Sequence, residues 1–176
     1  MSWKQLATKE VYKNKWMWVT EDQVETDSGV RLTFGIVHKR PFALIIPWDG
    51  TQLTLVGQYR YPVDKFSWEF PAGHAEDEDI LEAARKELEE ETGLRAKEIK
   101  EIGHFFVVPG HHTQTCHVFL ATTLSMGILH RDPSEEDMQV RKLSLEEFRA
   151  MLVAGEIIDG PTIAAFALLE TKKLFN

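Results

Sequence analysis

Three carboxylates carry the most chemistry in this sequence. Glu87, Glu90 and Glu91 stand at i, i+3 and i+4, a spacing that gathers side chains into one arc of an α-helix. Carboxylates held this close repel one another and raise each other's pKa unless a cation sits among them. A hard divalent ion with oxygen ligands is the natural resident. The arc borders an apolar stripe of Leu81, Ala84 and Leu88. Glu82, Arg85, Lys86 and Glu89 lie on the side away from that stripe, where Glu82 to Lys86 and Arg85 to Glu89 can form supportive i,i+4 pairs. No basic residue of the helix falls within the arc itself. On charge alone the same pattern also fits an ordinary solvated acidic face.

The elements that must position these residues are legible around them. The helix is predicted from about Asp79 to Thr92, with Asp79 and Glu82 spaced as a capping box and Gly93 placed as its C-terminal stop. Strands are predicted at Trp16–Val19, Val30–Val37 and Ala43–Pro47, the second following an Asp27-Ser28-Gly29 turn. Asp49-Gly50 offers a tight hairpin into a strand at Leu53–Arg60. Further strands are expected at about Ile102–Val108, Thr115–Thr122 and Met138–Leu143, with a polar loop at Arg131–Asp137 before the last. Ser144-Leu145-Glu146-Glu147 opens a helix to about Ala154, and Gly160-Pro161-Thr162 opens another to about Phe175. This order implies an α+β fold in which a mixed β-sheet is flanked by helices, an α/β/α sandwich preceded by an N-terminal antiparallel β arm.

Composition bounds the function. The 176 residues are 43% hydrophobic and include one cysteine, Cys116, enough for one well-filled core and insufficient for an internal disulfide. No stretch approaches the roughly 18 consecutive apolar residues of a membrane span, and Met1-Ser2-Trp3-Lys4-Gln5 lacks the apolar core of a signal peptide. A cytoplasmic protein with no membrane partner is expected. The net charge of −8 argues against nucleic acid as partner, because phosphate backbones select basic faces. A small polyanion remains compatible if metal or arginine offsets the local field.

The flanks of the acidic helix decide between its two readings. Pro71-Ala72-Gly73, Glu78 and Lys86-Glu87-Leu88-Glu89-Glu90-Glu91-Thr92-Gly93-Leu94 resemble the Nudix box, a long gapped signature that is far more specific than a lone glycine motif. Gln58-Tyr59-Arg60-Tyr61-Pro62 and Trp68-Glu69-Phe70-Pro71-Ala72-Gly73 are similar to the branch that hydrolyses ADP-ribose and other nucleoside diphosphate sugars. The resemblance implies a Nudix hydrolase domain over residues 43–176 and an N-terminal strand arm over residues 1–42 that dimerises, making a homodimer. It implies an Mg²⁺-dependent pyrophosphatase, with Mn²⁺ an acceptable replacement. Products would be a nucleoside monophosphate and a sugar phosphate.

The implied metal set is the Ala72 carbonyl with Glu87, Glu90 and Glu91, Glu87 counting also as catalytic. Arg60 would face the diphosphate or terminal ribose, with Glu69, Trp16 and Trp18 in the substrate-binding set. Glu136 would activate the water, with Glu135 as the near alternative. Two positions depart from the signature. Lys86 stands where arginine is usual, offering a point charge in place of a fork that would orient a catalytic carboxylate, and four residues separate Gly73 from Glu78 where five are usual. Relatives that prefer ADP-ribose also tend to carry an acidic residue near Gln114.

Other residues admit blander readings. His111, His112, Cys116 and His117 invite a zinc site, but in a strand Cys116 and His117 point to opposite faces, and the spacing matches no closed structural pattern. Trp16 and Trp18 are as readily interface aromatics as platforms for a base. A nucleoside triphosphate or dinucleoside polyphosphate hydrolase, and a non-catalytic nucleotide sensor, are the competing functions; metal-dependent turnover separates the sensor from the enzymes.

Overall fold

The computed structural model describes residues 3–75, 79–129 and 137–174. The chain divides into two compact units, one of Met1–Pro41 with Phe106–Thr115, the other of Phe42–Phe105 with Cys116–Asn176.

The first unit is an antiparallel meander of β1 (Lys4–Lys13), β2 (Trp18–Glu25) and β3 (Arg31–His38). Gly29, at φ 83, supplies the left-handed turn between β2 and β3 that residues bearing a Cβ resist. The 106–115 segment joins this unit by an edge contact: Val37 N–H donates to the His111 carbonyl at 2.8 Å, and Thr113 N–H to the Val37 carbonyl at 3.1 Å. Strand β1 was not expected from sequence. Its residues are exposed along their whole length, so no buried face imposes the apolar alternation by which strands are recognised.

The second unit is built on two sheets. One runs β7 (Ala72–His74), β4 (Phe42–Pro47), β9 (Thr115–Met126) and β8 (Leu94–Phe106); the other runs β10 (Gln139–Ser144), β5 (Gln52–Arg60) and β6 (Lys65–Glu69). The β4–β9 pair is parallel and β4–β7 antiparallel, so the sheet is mixed. The turn at Asp49-Gly50 forms as expected, with the Asp49 carboxylate accepting from the N–H of Thr51 and of Gln52. Beyond the Trp48–Leu53 bridge, however, β4 and β5 part into different sheets.

Helix α1 (Ile80–Thr92) lays Ala84 and Leu88 on Ala43 and Ile45 of β4 and Phe119 and Ala121 of β9. Strand alternation sends Leu44 and Ile46 to the opposite face, and they too are fully buried. Helix α3 (Gly160–Thr171) contacts β4, and α2 (Leu145–Ala154) contacts β10. Phe148 of α2 stacks on Phe70 and packs on Phe166 of α3, closing the second layer. The expected mixed sheet with helices packed on it and antiparallel strands ahead of it is the observed fold. Among the described residues no helix is long and apolar enough to cross a membrane.

Candidate active site

The acidic helix is held against β7. Asp79 caps α1 by accepting from Leu81 N–H, and Gly93 ends it at φ 70. The expected capping box gives way to a simple cap: Asp79 accepts from Leu81 N–H in place of Glu82 N–H, and the Glu82 side chain lies 3.7 Å from Arg85 on the exposed side. Glu91 is 2% exposed, and its Oε2 accepts the Ala72 N–H at 3.0 Å, which ties the helix to the strand preceding the signature glycine. Glu87 lies over the next residue. A Cβ on Gly73 would fall 1.9 Å from the Glu87 carboxyl carbon, so only glycine admits that carboxylate at this place.

Glu90 is half-buried, and Lys86 Nζ stands 3.9 Å from its Oε2. The arc is therefore not free of basic side chains, as its helical angle implies, because a lysine stem is long enough to cross one turn. The point charge at position 86 reaches Glu90. Glu89 faces away, accepting from Arg95 at 2.7 Å and from Ile128 N–H at 3.0 Å.

The implied metal ligands are thus neighbours, yet their carboxylates are not gathered. Among the described residues, the metal-ligating side chains whose atoms lie within 4.8 Å of one another are on β8 and β9. Glu91 turns toward the Ala72 amide and Glu90 toward Lys86. An all-oxygen donor set of this kind suits Mg²⁺, and the missing Cβ of Gly73 admits the Glu87 carboxyl beside β7. Glu78, Glu135 and Glu136 lie outside the described residues.

A second cluster comes from the β5–β6 hairpin. Its register pairs Val56 with Glu69, Gln58 with Ser67 and Arg60 with Lys65, which puts all six on one face. Arg60 reaches diagonally back, and its Nε donates to both Glu69 oxygens at 2.9 and 3.1 Å while Nη2 closes the fork. Glu69 is 4% exposed, so the guanidinium is its charge partner in the interior. That fork raises the Arg60 pKa, burial opposes the rise, and the negative charges of Glu69, Asp159 and Glu91 add to it.

Asp159 joins the same cleft. It caps α3, accepting from Thr162 N–H at 2.8 Å, and burial, followed by the charge of Glu69, raises its pKa against the pull of Thr162 and Arg60. Arg60, Pro62, Ser67, Glu69, Ile158 and Asp159 line a cleft of about 300 Å³. The buried Ser67 hydroxyl there has no hydrogen-bond partner among the described residues. Thr162 also ties α3 to the link between β6 and β7, its Oγ1 accepting the Phe70 N–H at 3.0 Å. Sequence reasoning missed Asp159, Ser67 and Thr162. An Asp before Gly-Pro-Thr is a recognisable N-cap with proline in the first turn, but nothing in the sequence places it beside Arg60.

The remaining sequence candidates fall elsewhere. Trp16 and Trp18 belong to the first unit, where Trp18 stacks on His38 with centroids 4.9 Å apart and Lys15 Nζ lies 4.1 Å over the Trp16 ring. Cys116 is fully buried in β9, and desolvation, with the charge of Asp159, pushes its thiol up to about 12. His117 sits on the other face of that strand, as alternation requires, and its Nδ1–H donates to Glu101 Oε1 at 2.9 Å.

Comparison with known proteins shows the family. The chain is 31% identical to an ADP-ribose pyrophosphatase of Bacillus subtilis (strain 168) across 97% of this chain and 94% of that one. It is 30% identical to a GDP-mannose pyrophosphatase of Salmonella paratyphi B across 80% and 82%. The crystal structure of an ADP compounds hydrolase matches with a TM-score of 0.87 over 97% of this chain and 94% of that one, at 20% identity. Residues 3–37 match the nucleoside diphosphate sugar hydrolase N-terminal domain. Residues 38–166 match the NUDIX domain, and the chain accordingly belongs to the NUDIX family.

Proposed function

We propose that the protein hydrolyses the diphosphate bond of nucleoside diphosphate sugars in a Mg²⁺-dependent reaction, releasing a nucleoside monophosphate and a sugar phosphate. The observation that carries this reading is the pairing of two charge systems in one unit: the α1 carboxylates on the Ala72–His74 strand, and an arginine held in a fork by a buried carboxylate. A substrate diphosphate needs both a cation-binding cage and a fixed positive donor.

Ala72, Glu87, Glu90 and Glu91 would hold the metal, which when bound neutralises diphosphate oxygens and lowers the barrier to attack by water. Glu69 keeps the Arg60 guanidinium planar to the cleft, so that its outer N–H groups meet phosphate oxygens or ribose hydroxyls without reorganisation. Ser67 and Asp159 line the same cleft and are placed to meet hydroxyl groups. The general base is assigned by resemblance to Glu136. Glu136→Gln should lower kcat by about 10²-fold or more with little change in KM, because a proton acceptor is needed only as water attacks; an unchanged rate returns the role to Glu135 or to α1.

The deciding experiment is product analysis after incubation with ADP-ribose, GDP-mannose and nucleoside triphosphates, with and without Mg²⁺. Nucleoside monophosphate plus sugar phosphate, formed only with metal, is expected. Inorganic diphosphate released from a triphosphate as the main product would overturn the substrate class, and binding without turnover would make the chain a sensor.

The N-terminal arm is assigned to homodimerisation. Trp3, Val11, Tyr12 and Trp16 are each at least half exposed, an aromatic-rich composition suited to an interface core.

A further inference from the structure

We propose that Glu101, His104 and His117 form a binding site for a borderline transition-metal ion, with Zn²⁺ as the representative species, separate from the α1 carboxylates. Glu101 and His104 lie on β8 and His117 on β9, and one ligand atom from each lies within 4.8 Å of the other two. Glu101 Oε1 is 2.9 Å from His117 Nδ1 and 3.9 Å from His104 Nδ1. Tetrahedral ligands at zinc bond lengths stand about 3.4 Å apart, so the observed separations bracket the required one and small side-chain rotations bridge the difference. The two imidazole rings are 5.6 Å apart between centroids and tilted by 34°.

The donor types choose the metal. Two imidazoles and one carboxylate suit zinc and its neighbours, whereas Mg²⁺ takes oxygen donors. Two histidines and a glutamate with the fourth position left to water form a known zinc ligand set, and Glu101 and His104 are both exposed, so solvent can fill that position. A backbone irregularity makes the cluster possible. Residues three apart on a regular strand face opposite ways, yet Glu101 and His104 are both exposed around the buried Ile102, and between them Gly103 adopts φ 156. A mere Glu101–His117 hydrogen bond would need neither the slip of phase nor His104.

Calorimetric titration of the full chain with Zn²⁺ in excess Mg²⁺ tests the assignment, with Co²⁺ absorption as a second readout of imidazole ligation. One equivalent should bind to the wild type. His104→Ala and His117→Ala should each weaken it at least ~10-fold, since even partners beyond the ligands contribute that much, while circular dichroism and Mg²⁺-dependent turnover stay unchanged. Absence of Zn²⁺ binding, binding that excess Mg²⁺ abolishes, or equal affinity in the double variant would overturn the site. None of these outcomes depends on which substrate the enzyme hydrolyses.

Discussion

At the scale of single residues, Gly73 is as consequential as any carboxylate. Its missing Cβ is the space in which the Glu87 carboxyl lies, so Gly73→Ala should leave the fold intact, the Glu87 side chain being able to turn away, and lower turnover by ~10²-fold, the usual effect of an ångström of misplacement at a reacting centre. Wild-type kcat in that variant would show that the Glu87 position is immaterial. Lys86 argues through charge instead of shape. Standing 3.9 Å from Glu90, it competes with any cation Glu90 would bind. At that distance in a water-like medium the opposing term is about 1 kcal/mol, so Lys86→Met should lower the Mg²⁺ concentration for half-maximal rate by about 5-fold, whereas Lys86→Arg should hold it. A raised requirement in Lys86→Met would mean that lysine positions Glu90.

At the scale of elements, the caps explain why the helices begin where they do. Ser144 and Glu147 form a reciprocal capping box on α2, Asp79 caps α1 and Asp159 caps α3. The last cap is in conflict with its surroundings. A carboxylate whose folded pKa is raised contributes stability that is present below its unfolded pKa and lost as pH rises through the folded value. Asp159→Asn keeps an acceptor for Thr162 N–H and removes the charge, so it should match or exceed the wild-type Tm at neutral pH and flatten the loss of stability above mildly acidic pH. Asp159→Ala should lower stability by about 1 kcal/mol through loss of the cap. Thermal melts across pH separate the two; a lower neutral-pH Tm in Asp159→Asn would mean the charge is needed by Arg60. These elements also mark the limit of what sequence reveals. Helix α1, Gly93 and the strands β3, β4, β5 and β9 follow from periodicity and turn chemistry. The short strands β6 and β7 did not, because β7 is only Ala72–His74, where no period can register. The α3 end at Thr171, short of the expected Phe175, reflects a left-handed Lys173 at φ 53 that no local signal announces.

At the scale of the whole molecule, the acidic arc was legible but its partners were not, since Arg60, Glu69 and Asp159 meet only through tertiary folding. The arm poses a question of assembly. If strands β1 to β3 dimerise, light scattering should give twice the chain mass at micromolar concentration, and Trp3→Glu with Trp16→Glu should yield monomers; a monomeric wild type would refute the assignment.

The bond from Phe70 N–H to the Thr162 hydroxyl joins residues 92 positions apart. Because α3 is synthesised after every strand of the unit, a nascent chain that has exposed the whole acidic helix still lacks the acceptor for Phe70, in the link between β6 and β7, and the Asp159 wall of the cleft is missing as well. Domains tend to fold as they emerge, but here the cleft beside Arg60 cannot be completed before α3 is made. Ribosome-tethered chains halted before Gly160 should therefore be inert, and full activity in them would show that the Phe70–Thr162 bond is dispensable.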